Sequence, residues 1–211
     1  MSSATDNRQR ILDAANSIFA EGGLDGLSVR AIAARAGLST IGVYSHFKGK
    51  RGILAALFVD GLSKLGEAAR RAAENAPTER LLAVVVNGYI DFHRDHAAHY
   101  QLMFTMDRTQ LGDAAALHQI ASASIEKLAA SIERLLPPDR PADLALRQAF
   151  RVWSLMHGYV TLRDSGWFHH LGEAEWRAEV VLAVQQLLIG FQAHLPDRAI
   201  SPPLCRSSPT A

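Results

Sequence analysis

The chain has 211 residues, of which 48% are hydrophobic and 20% charged, so it can build a packed core and is too apolar to be disordered. Its single cysteine, Cys205, excludes an intrachain disulfide, and no apolar run reaches the roughly 18 residues that span a bilayer. We therefore expect a soluble cytoplasmic protein. The net charge is +1, but residues 1–52 carry a net charge of +3 and the remainder −2. This asymmetry predicts that only the N-terminal part contacts a polyanion.

Apolar residues at helical spacing predict a first helix over residues 6–21, with one face formed by Ile11, Ala14, Ala15, Ile18 and Phe19. Thr5 or Asp6 can cap its start, because their side-chain oxygens can accept from free amides. Gly22-Gly23 is expected to end it. This helix can cover the apolar backs of the next two, which predicts a three-helix head.

Two short helix signals follow, joined by a glycine turn. Ser28 can cap the first, and Gly37 permits the left-handed backbone that ends many helices. Ser39 can cap the second, over residues 41–47. A cap, a helix, a turn, a cap and a helix within about twenty residues is the pattern of a helix-turn-helix. The stretch from Ser28 to Arg51 has a formal charge of +5 and no acid, so we expect it to bind DNA.

The rest of the chain is predicted to form long helices, with no strand-period segment and no internal repeat. A helix from about Lys50 to Asn75 is long enough to reach from the head into a second domain. Thr78 can cap the next helix, and Asp95-His96 interrupts the pattern. The later helices are expected over residues 79–95, 97–106, 113–136, 142–164 and 173–195.

These signals predict an all-α fold of about nine helices. We divide the chain into a helix-turn-helix domain at 1–52, a helical-bundle domain at 53–195 and a tail at 196–211. The tail holds four of the eight prolines and few apolar residues, so it is predicted to be mobile.

Several short motifs stand in a fixed order in the first 54 residues. They are Arg10-Ile11-Leu12-x-Ala14-Ala15, Phe19-Ala20-Glu21-Gly22-Gly23, Gly26-Leu27-Ser28-Val29-Arg30, Ile32-Ala33, Ala36-Gly37-Leu38-Ser39, Val43-Tyr44-x-His46-Phe47-x-x-Lys50 and Leu54. Residues 8–54 thereby resemble the head of the TetR (tetracycline-repressor) family of bacterial transcription regulators. The resemblance implies a ligand-responsive regulator, most often a repressor, that binds a palindromic double-stranded DNA operator as a dimer.

The third helix must enter a major groove about 12 Å wide, and its short residues suit this. Tyr44 has a hydroxyl that can reach a phosphate or a base edge, and His46 and Lys50 flank the helix end. The resemblance adds backbone contacts from the second helix. The predicted DNA-binding set is Ser28, Arg30, Ser39, Thr40, Ile41, Gly42, Tyr44, Ser45, His46 and Lys50. Gly42 offers no side chain to a base, so readout through DNA shape or water is expected to contribute.

Aromatic residues and imidazoles cluster between residues 89 and 104, and similar side chains recur later in the chain. Together they suit a mostly apolar small-molecule site. The predicted ligand-binding set is Tyr89, Phe92, His93, His96, Tyr100, Met103, Phe104, Trp153, His157 and Trp167. We expect a mainly apolar effector, with aromatic compounds among the candidates.

Trp153-x-x-x-His157-Gly158 resembles a motif of one subset of the family's C-terminal domains. Trp153 and His157 are i, i+4 neighbours, and Gly158 permits close helix approach. Whether the two side chains line a pocket or only pack is left open by the sequence.

His93-x-x-His96-x-x-His99 allows two imidazoles on one helix face, but the third lies well around the axis. We therefore predict no metal site and no cofactor. A helical small-molecule or metal-binding protein without specific operator binding is the alternative function. An enzyme is disfavoured, because the chain contains no nucleophile elbow, P-loop, dinucleotide fingerprint or H-E-x-x-H motif.

The resemblance implies a homodimer formed by the helices at about 142–164 and 173–195. A physical argument agrees, because one helix-turn-helix makes too few contacts for tight specific binding. The last helix carries apolar residues on more than one face, so one face can serve the core and another a partner. We assign Val180, Val184, Leu187 and Phe191 to one face and Val181, Leu188 and Leu195 to another.

Overall fold

The computed structural model of the protein describes residues 2–74, 76–106, 111 and 114–192, and helices dominate them. In chain order the helices are α1 (Ser2–Gly26), α2 (Val29–Ala36), α3 (Thr40–Phe47), α4 (Lys50–Glu74), α5 (Thr78–Asp95), α6 (Ala97–Thr105), α7 (Ala114–Glu133), α8 (Leu144–Asp164) and α9 (Glu173–Gln192). Among the described residues there is no strand, and no helix is long and apolar enough to cross a membrane. The predicted all-α class with about nine helices is confirmed. The predicted tail at 196–211 lies outside the described residues.

The first helix is longer than the predicted span of 6–21. Gly23 leaves helical geometry with a φ of 59°, yet the chain resumes the helix and continues to Gly26. The prediction that Gly22-Gly23 ends the first helix is therefore confirmed, and a short helical segment follows the break. Glycine tolerates the backbone of this break, which divides α1 in two.

The predicted caps of the helix-turn-helix are confirmed. The Ser28 hydroxyl accepts from the amide of Ala31 and the Ser39 hydroxyl from that of Gly42, each at 3.1 Å. Gly37 ends α2 in the left-handed region, with a φ of 64°. Each short helix is thus closed at its start by a side chain of its own sequence.

Only the C-terminal boundary of α5 agrees with the boundary predicted from the sequence. Pro77 occupies the N-cap position with extended backbone, and Thr78 is already helical, so the expectation that Thr78 caps this helix is wrong. At the other end His96 has φ and ψ of −133° and 42° and separates α5 from α6. The predicted break at Asp95-His96 is confirmed.

One hydrophobic core joins the head, α1 to α3, to the helices that follow. It includes Phe19 of α1, Phe47 of α3, Leu57 of α4 and Val184 of α9. The predicted domain boundary between residues 52 and 53 falls inside α4, which runs without interruption from the head into the body. The small head thus rests on the body, which adds buried apolar area that some fifty residues alone cannot supply.

Helices α4 and α7 lie side by side and point in the same direction. Arg134 donates to the carbonyl of Ala73 at 3.2 Å, and these residues are 61 positions apart. Lys127 Nζ lies 3.6 Å from the position that a Cβ on Gly66 would occupy, and this pair has the same separation in sequence. An equal offset at two points along the helices requires a parallel arrangement.

The faces of α9 differ from those assigned from the sequence. Val180, Val184 and Leu188 are buried together, since i, i+4 and i+8 share one side of a helix. Leu187 is half-buried and packs against the same core, so the wrong assignment is that of Leu188, which was placed on the opposite face. Exposed apolar side chains stand elsewhere on the helix, at Leu182 and Ile189. Leu195 and the side chain of Phe191 lie outside the described residues.

Candidate nucleic-acid interface and ligand cavity

Helix α3 is buried on one side and exposed on the other. Val43 and Phe47 are in the core, as predicted. On the opposite side Ile41 is 79% exposed and Tyr44 is 56% exposed. We call the exposed residues of this helix the recognition face: Thr40, Ile41, Tyr44 and Ser45. Two other predicted contact residues, Gly42 and His46, are half-buried beside it.

Tyr44 is held by backbone that the sequence motif did not reveal. A Cβ on Gly49, whose φ is 98°, would come within 2.9 Å of Tyr44 Cε1, so the ring lies directly over this glycine. The amide of Lys48 donates to the carbonyl of Tyr44 at 2.9 Å and closes α3 in left-handed geometry. Because the ring rests on bare backbone, its exposed edge and hydroxyl project from the recognition face in a fixed direction.

The first turn of α4 passes very close to the end of α3. A Cβ added to Gly52 would overlap the carbonyl oxygen of Phe47, and both are backbone positions that cannot move aside separately. Gly52 therefore sets the spacing of the two helices. Sequence reasoning missed this role, since the clash involves the carbonyl five residues earlier and leaves no periodic signal.

The other predicted contact residues surround the recognition face. Ser28, Arg30 and Ser39 are exposed at the starts of α2 and α3. Lys50 is exposed too, and its ammonium donates to the carbonyl of Leu24 at 3.3 Å. An ammonium has three donors, so this bond leaves two for a phosphate. Arg35 is engaged elsewhere, in an ion pair with Glu21 at 2.6 Å.

A cavity of about 180 Å³ lies between α4 and α7. Helices α5, α6 and α8 close it from behind, and its wall is mostly aliphatic and aromatic. We call it the α4–α7 cavity. Four of the ten residues predicted to bind a ligand line it: Tyr89, Met103, Phe104 and Trp153.

The other six predicted ligand residues lie outside this lining: Phe92, His93, His96, Tyr100, His157 and Trp167. Trp167 is 71% exposed in the loop after α8. Conversely, α4 and α7 supply Phe58, Leu62 and Ile125, which the sequence did not indicate as pocket residues. The apolar residues of α4 and α7 have the spacing of any helix that packs in a core. Nothing in the local sequence therefore distinguishes residues that line a cavity from residues that pack in the core.

Tyr89 connects the cavity wall to a buried polar cluster. Its hydroxyl donates to that of Tyr100 at 3.2 Å, and the Tyr100 hydroxyl lies 2.5 Å from Nδ1 of His157. Burial lowers the pKa of His157, with a further contribution from His93, so the neutral imidazole accepts from Tyr100. Burial also raises the pKa of Tyr100 to about 12. The cluster is therefore uncharged near neutral pH, and His157 lies one layer behind the cavity.

A second buried cluster joins the head to the body. His99 of α6 is only 5% exposed, and its Nε2 lies 2.9 Å from Asn16 Oδ1 of α1 and 3.1 Å from Asp60 Oδ2 of α4. Burial alone raises the pKa of Asp60, but hydrogen bonds from His99 and Lys64 outweigh it and lower that pKa to about 2. Asp60 is thus a carboxylate that binds three helices together through His99.

The three histidines of the His93-x-x-His96-x-x-His99 motif share no common partner, although the ring of His96 also contacts that of His99 edge-on, with 6.0 Å between centroids. His93 pairs with Asp164 at 2.9 Å, while His96 contacts the ring of Phe92, with 5.4 Å between centroids. The described ranges contain no group of three or more His, Cys, Asp or Glu side chains that could hold a metal ion.

Known protein families match both the N-terminal and the C-terminal part of the chain. The family model for bacterial regulatory proteins of the tetR family matches residues 11–57, and that for the tetracyclin repressor-like C-terminal domain matches residues 81–185. The HTH-type transcriptional regulator BetI of Cronobacter sakazakii (strain ATCC BAA-894) is 31% identical over 170 residues, which cover 76% of this chain and 77% of that protein. The chain belongs to the TetR family. It is a ligand-responsive, DNA-binding transcriptional repressor from a family of regulators, not enzymes.

Solved structures share this TetR fold over most of their length. A Rhodococcus sp. RHA1 protein of unknown function superimposes with a TM-score of 0.72 at 26% identity, covering 87% of this chain and 94% of that one. A TetR-family transcriptional regulator from Streptomyces coelicolor gives a TM-score of 0.59 at 25% identity, covering 87% and 98%. The assignment to a subset defined by Trp153, His157 and Gly158 stays a prediction.

Proposed function

We propose that this TetR-family protein binds a palindromic operator as a homodimer and is released from it by a small, mainly apolar molecule in the α4–α7 cavity. One observation carries the proposal. Helix α4 begins beneath α3, with Gly52 against the Phe47 carbonyl, and the same helix lines the cavity from Phe58 to Ala69. The recognition face and the cavity thus share one rigid element. The proposal includes a cytoplasmic location, where a bacterial regulator meets its operator.

The outer faces of α8 and α9 support the dimer. They expose the apolar side chains Phe150, Leu162, Leu182 and Ile189. A Cβ on Gly158 or Gly190 would meet no described atom within 4 Å. In the part of the chain that the structure describes, no close helix approach is therefore seen at Gly158. Both glycines leave room for a partner's helices in an isologous four-helix interface.

Helix α6 supports the coupling between ligand and head. It presents Met103 and Phe104 to the cavity and, about one turn earlier, His99 to Asn16 of the head. A ligand that displaces this short helix changes both contacts together. In a two-state scheme the ligand favours a body conformation with the two heads at the wrong separation. The shift cannot exceed the difference in its affinity for the two states.

The test begins with selection of bound DNA from random pools, followed by binding measurements at several salt concentrations. We expect Tyr44→Ala and Lys50→Ala to weaken binding while the fold is kept, and Lys50→Ala to reduce the salt slope by about one. Arg70→Ala, an exposed cation on α4 away from the head, is the matched control and leaves binding unchanged. If no sequence is enriched, the alternative of a ligand-binding protein without a specific operator is favoured.

The dimer is tested separately by light scattering on the purified protein. Ile189→Glu places a charge on the proposed interface, so we expect it to yield monomers that bind one half-site weakly. Glu175→Gln, at an exposed position in the first turn of α9, is the control. A dimer that survives Ile189→Glu would place the interface on another surface.

A further inference from the structure

The shape and charge of the α4–α7 cavity define its ligand more narrowly than apolar character alone. We propose that it takes a slender, unbranched amphipathic anion, of which a medium-chain carboxylate is the simplest form. The chain lies along the cavity, and the negative charge faces Lys127. This inference rests on the proposed function only in taking the cavity as the effector site.

The residues that line the cavity extend along the helices for several turns. Lining residues on α4 extend from Phe58 to Ala69, which at 1.5 Å per residue is about 16 Å. Its volume of about 180 Å³ is nonetheless close to the roughly 150 Å³ that holds a benzene molecule. A small volume spread over three helical turns fits an extended chain better than a ring.

The charge of the lining has one sign. Among its described residues only His118 and Lys127 carry side chains that can be positive, and none is acidic. Lys127 reaches from α7 across to α4, with its Nζ beside Gly66. In the described part of the chain this ammonium has no ion-pair partner, whereas Lys64 and Arg70 on α4 each pair with an acid. An anion gains from this lysine, and a cation is repelled by it.

The cavity also has a direction. Met103 packs at Gly61, where a Cβ would lie 2.8 Å from its sulfur, while Lys127 packs at Gly66, more than one turn further along α4. The side chains of Met103 and Phe104 are apolar, and the hydroxyl of Tyr89 is already bonded to Tyr100. Because the ammonium of Lys127 lies against α4 at Gly66, we assign the charged group of the ligand to that end and the apolar end to Met103 and Phe104.

Calorimetric titration of the full-length protein at low ionic strength tests this with four probes: octanoate, octylammonium, 1-octanol and benzoate. An exposed ion pair contributes up to about fivefold in affinity, and exchanging attraction for repulsion doubles the free-energy difference. We therefore expect octanoate to bind more tightly than octylammonium by up to about 25-fold, with 1-octanol between them. Benzoate is expected to bind more weakly than octanoate, because it cannot fill the length of the cavity.

Variants identify the charge that is responsible. Lys127→Met keeps the apolar stem and should bring the octanoate to octylammonium ratio close to one, and Lys127→Glu should invert it. Arg71→Met makes the same change in net charge outside the lining and should leave the ratio unchanged.

Equal binding of octanoate and octylammonium, or an unchanged ratio in Lys127→Met, overturns the charge assignment. Tighter binding of benzoate than of octanoate overturns the shape assignment, and no binding of any probe overturns both. Operator binding is measured in parallel without ligand. A protein that binds its selected operator but none of these probes keeps the proposed function and loses only this inference.

Discussion

The recognition face and the α4–α7 cavity are built in different ways. The face is fixed within a short stretch of chain, in which Ser39 caps α3, Gly49 supports the Tyr44 ring and Gly52 sets the distance to α4. The cavity wall is assembled from five helices separated by up to a hundred residues. The recognition face depends on a few backbone contacts, so adding a single Cβ at Gly52 is expected to disrupt it. A wall formed by many side chains loses only part of its contacts when one of them changes.

The head that carries the recognition face meets the helices of the cavity at His99, which belongs to neither region. Its ring stacks edge-on to Phe19 of the head, with 5.7 Å between centroids, while Met103 on the same helix lines the cavity. The predictions below alter first the head, then this junction, and finally one contact of the recognition face.

Gly52→Ala should have the largest effect. Its Cβ overlaps the Phe47 carbonyl, and backbone cannot yield as a flexible side chain does, so we expect a loss of about 3 kcal/mol in unfolding free energy. Operator binding should be lost with it. Urea unfolding and DNA-binding titrations measure the two effects.

Gly42→Ala is the matched control in the same motif. A Cβ there lies 3.6 Å from Ser39 Oγ, an ordinary contact, so stability should rise by up to about 1 kcal/mol. If both alanine variants are equally stable, the spacing of α3 and α4 does not depend on Gly52.

His99→Ala removes the hydrogen bonds to Asn16 and Asp60, and we expect a loss of about 2 kcal/mol in unfolding free energy. The variant should still bind operator, but more ligand should be required to release it. His170→Ala, in the exposed loop after α8, serves as the control for both measurements. Ligand release identical to that of the parent protein would exclude α6 as the coupling element.

Asp60→Asn should alter the dependence of stability on pH. The folded pKa of Asp60 is about 2 against 3.8 for the unfolded chain, so its contribution is present above pH 4 and lost as the pH falls toward 2. Unfolding measured across this window should show the parent losing about 2 kcal/mol more than Asp60→Asn. Asp6→Asn, which changes an exposed acid, should titrate like the parent.

Ile41→Ala should have the smallest effect. An exposed branched side chain on the recognition face suits the methyl group of thymine, and each buried methyl contributes about 0.8 kcal/mol, or fourfold in affinity. Replacing the thymines of the selected operator by deoxyuridine, one at a time, should weaken the parent at one position. The same replacement should leave Ile41→Ala unaffected, and equal losses in both proteins would assign the methyl contact to another residue.

The helix-turn-helix was largely predictable because its signals are local. Ser28, Gly37 and Ser39 act through atoms within four residues of themselves, so residue type and spacing suffice to predict both caps and the turn. Gly52 was missed because its contact is with the backbone of the preceding helix. Thr78 was assigned as a cap on residue type alone, while the backbone places Pro77 there.

Only part of the cavity lining could be predicted from the sequence, because the rest depends on contacts between distant helices. Tyr89, Phe104 and Trp153 were found from their residue types, but the walls from α4 and α7 depend on how two distant helices are aligned. Their common offset of 61 residues is a property of packing that no window of sequence contains. Aromatic type also led to the prediction of Trp167, which lies outside the cavity lining and is exposed beside the turn at Gly166, where φ is 84°.

The shared core has a consequence for building hybrid regulators. A DNA-binding head is an attractive part to exchange between ligand-binding bodies, with a join placed near residue 52. In this protein such a join cuts through α4 and separates Asn16 and Phe19 from the ring of His99. A transplanted head will respond to its new body only if the residues that contact α6 are transferred with it.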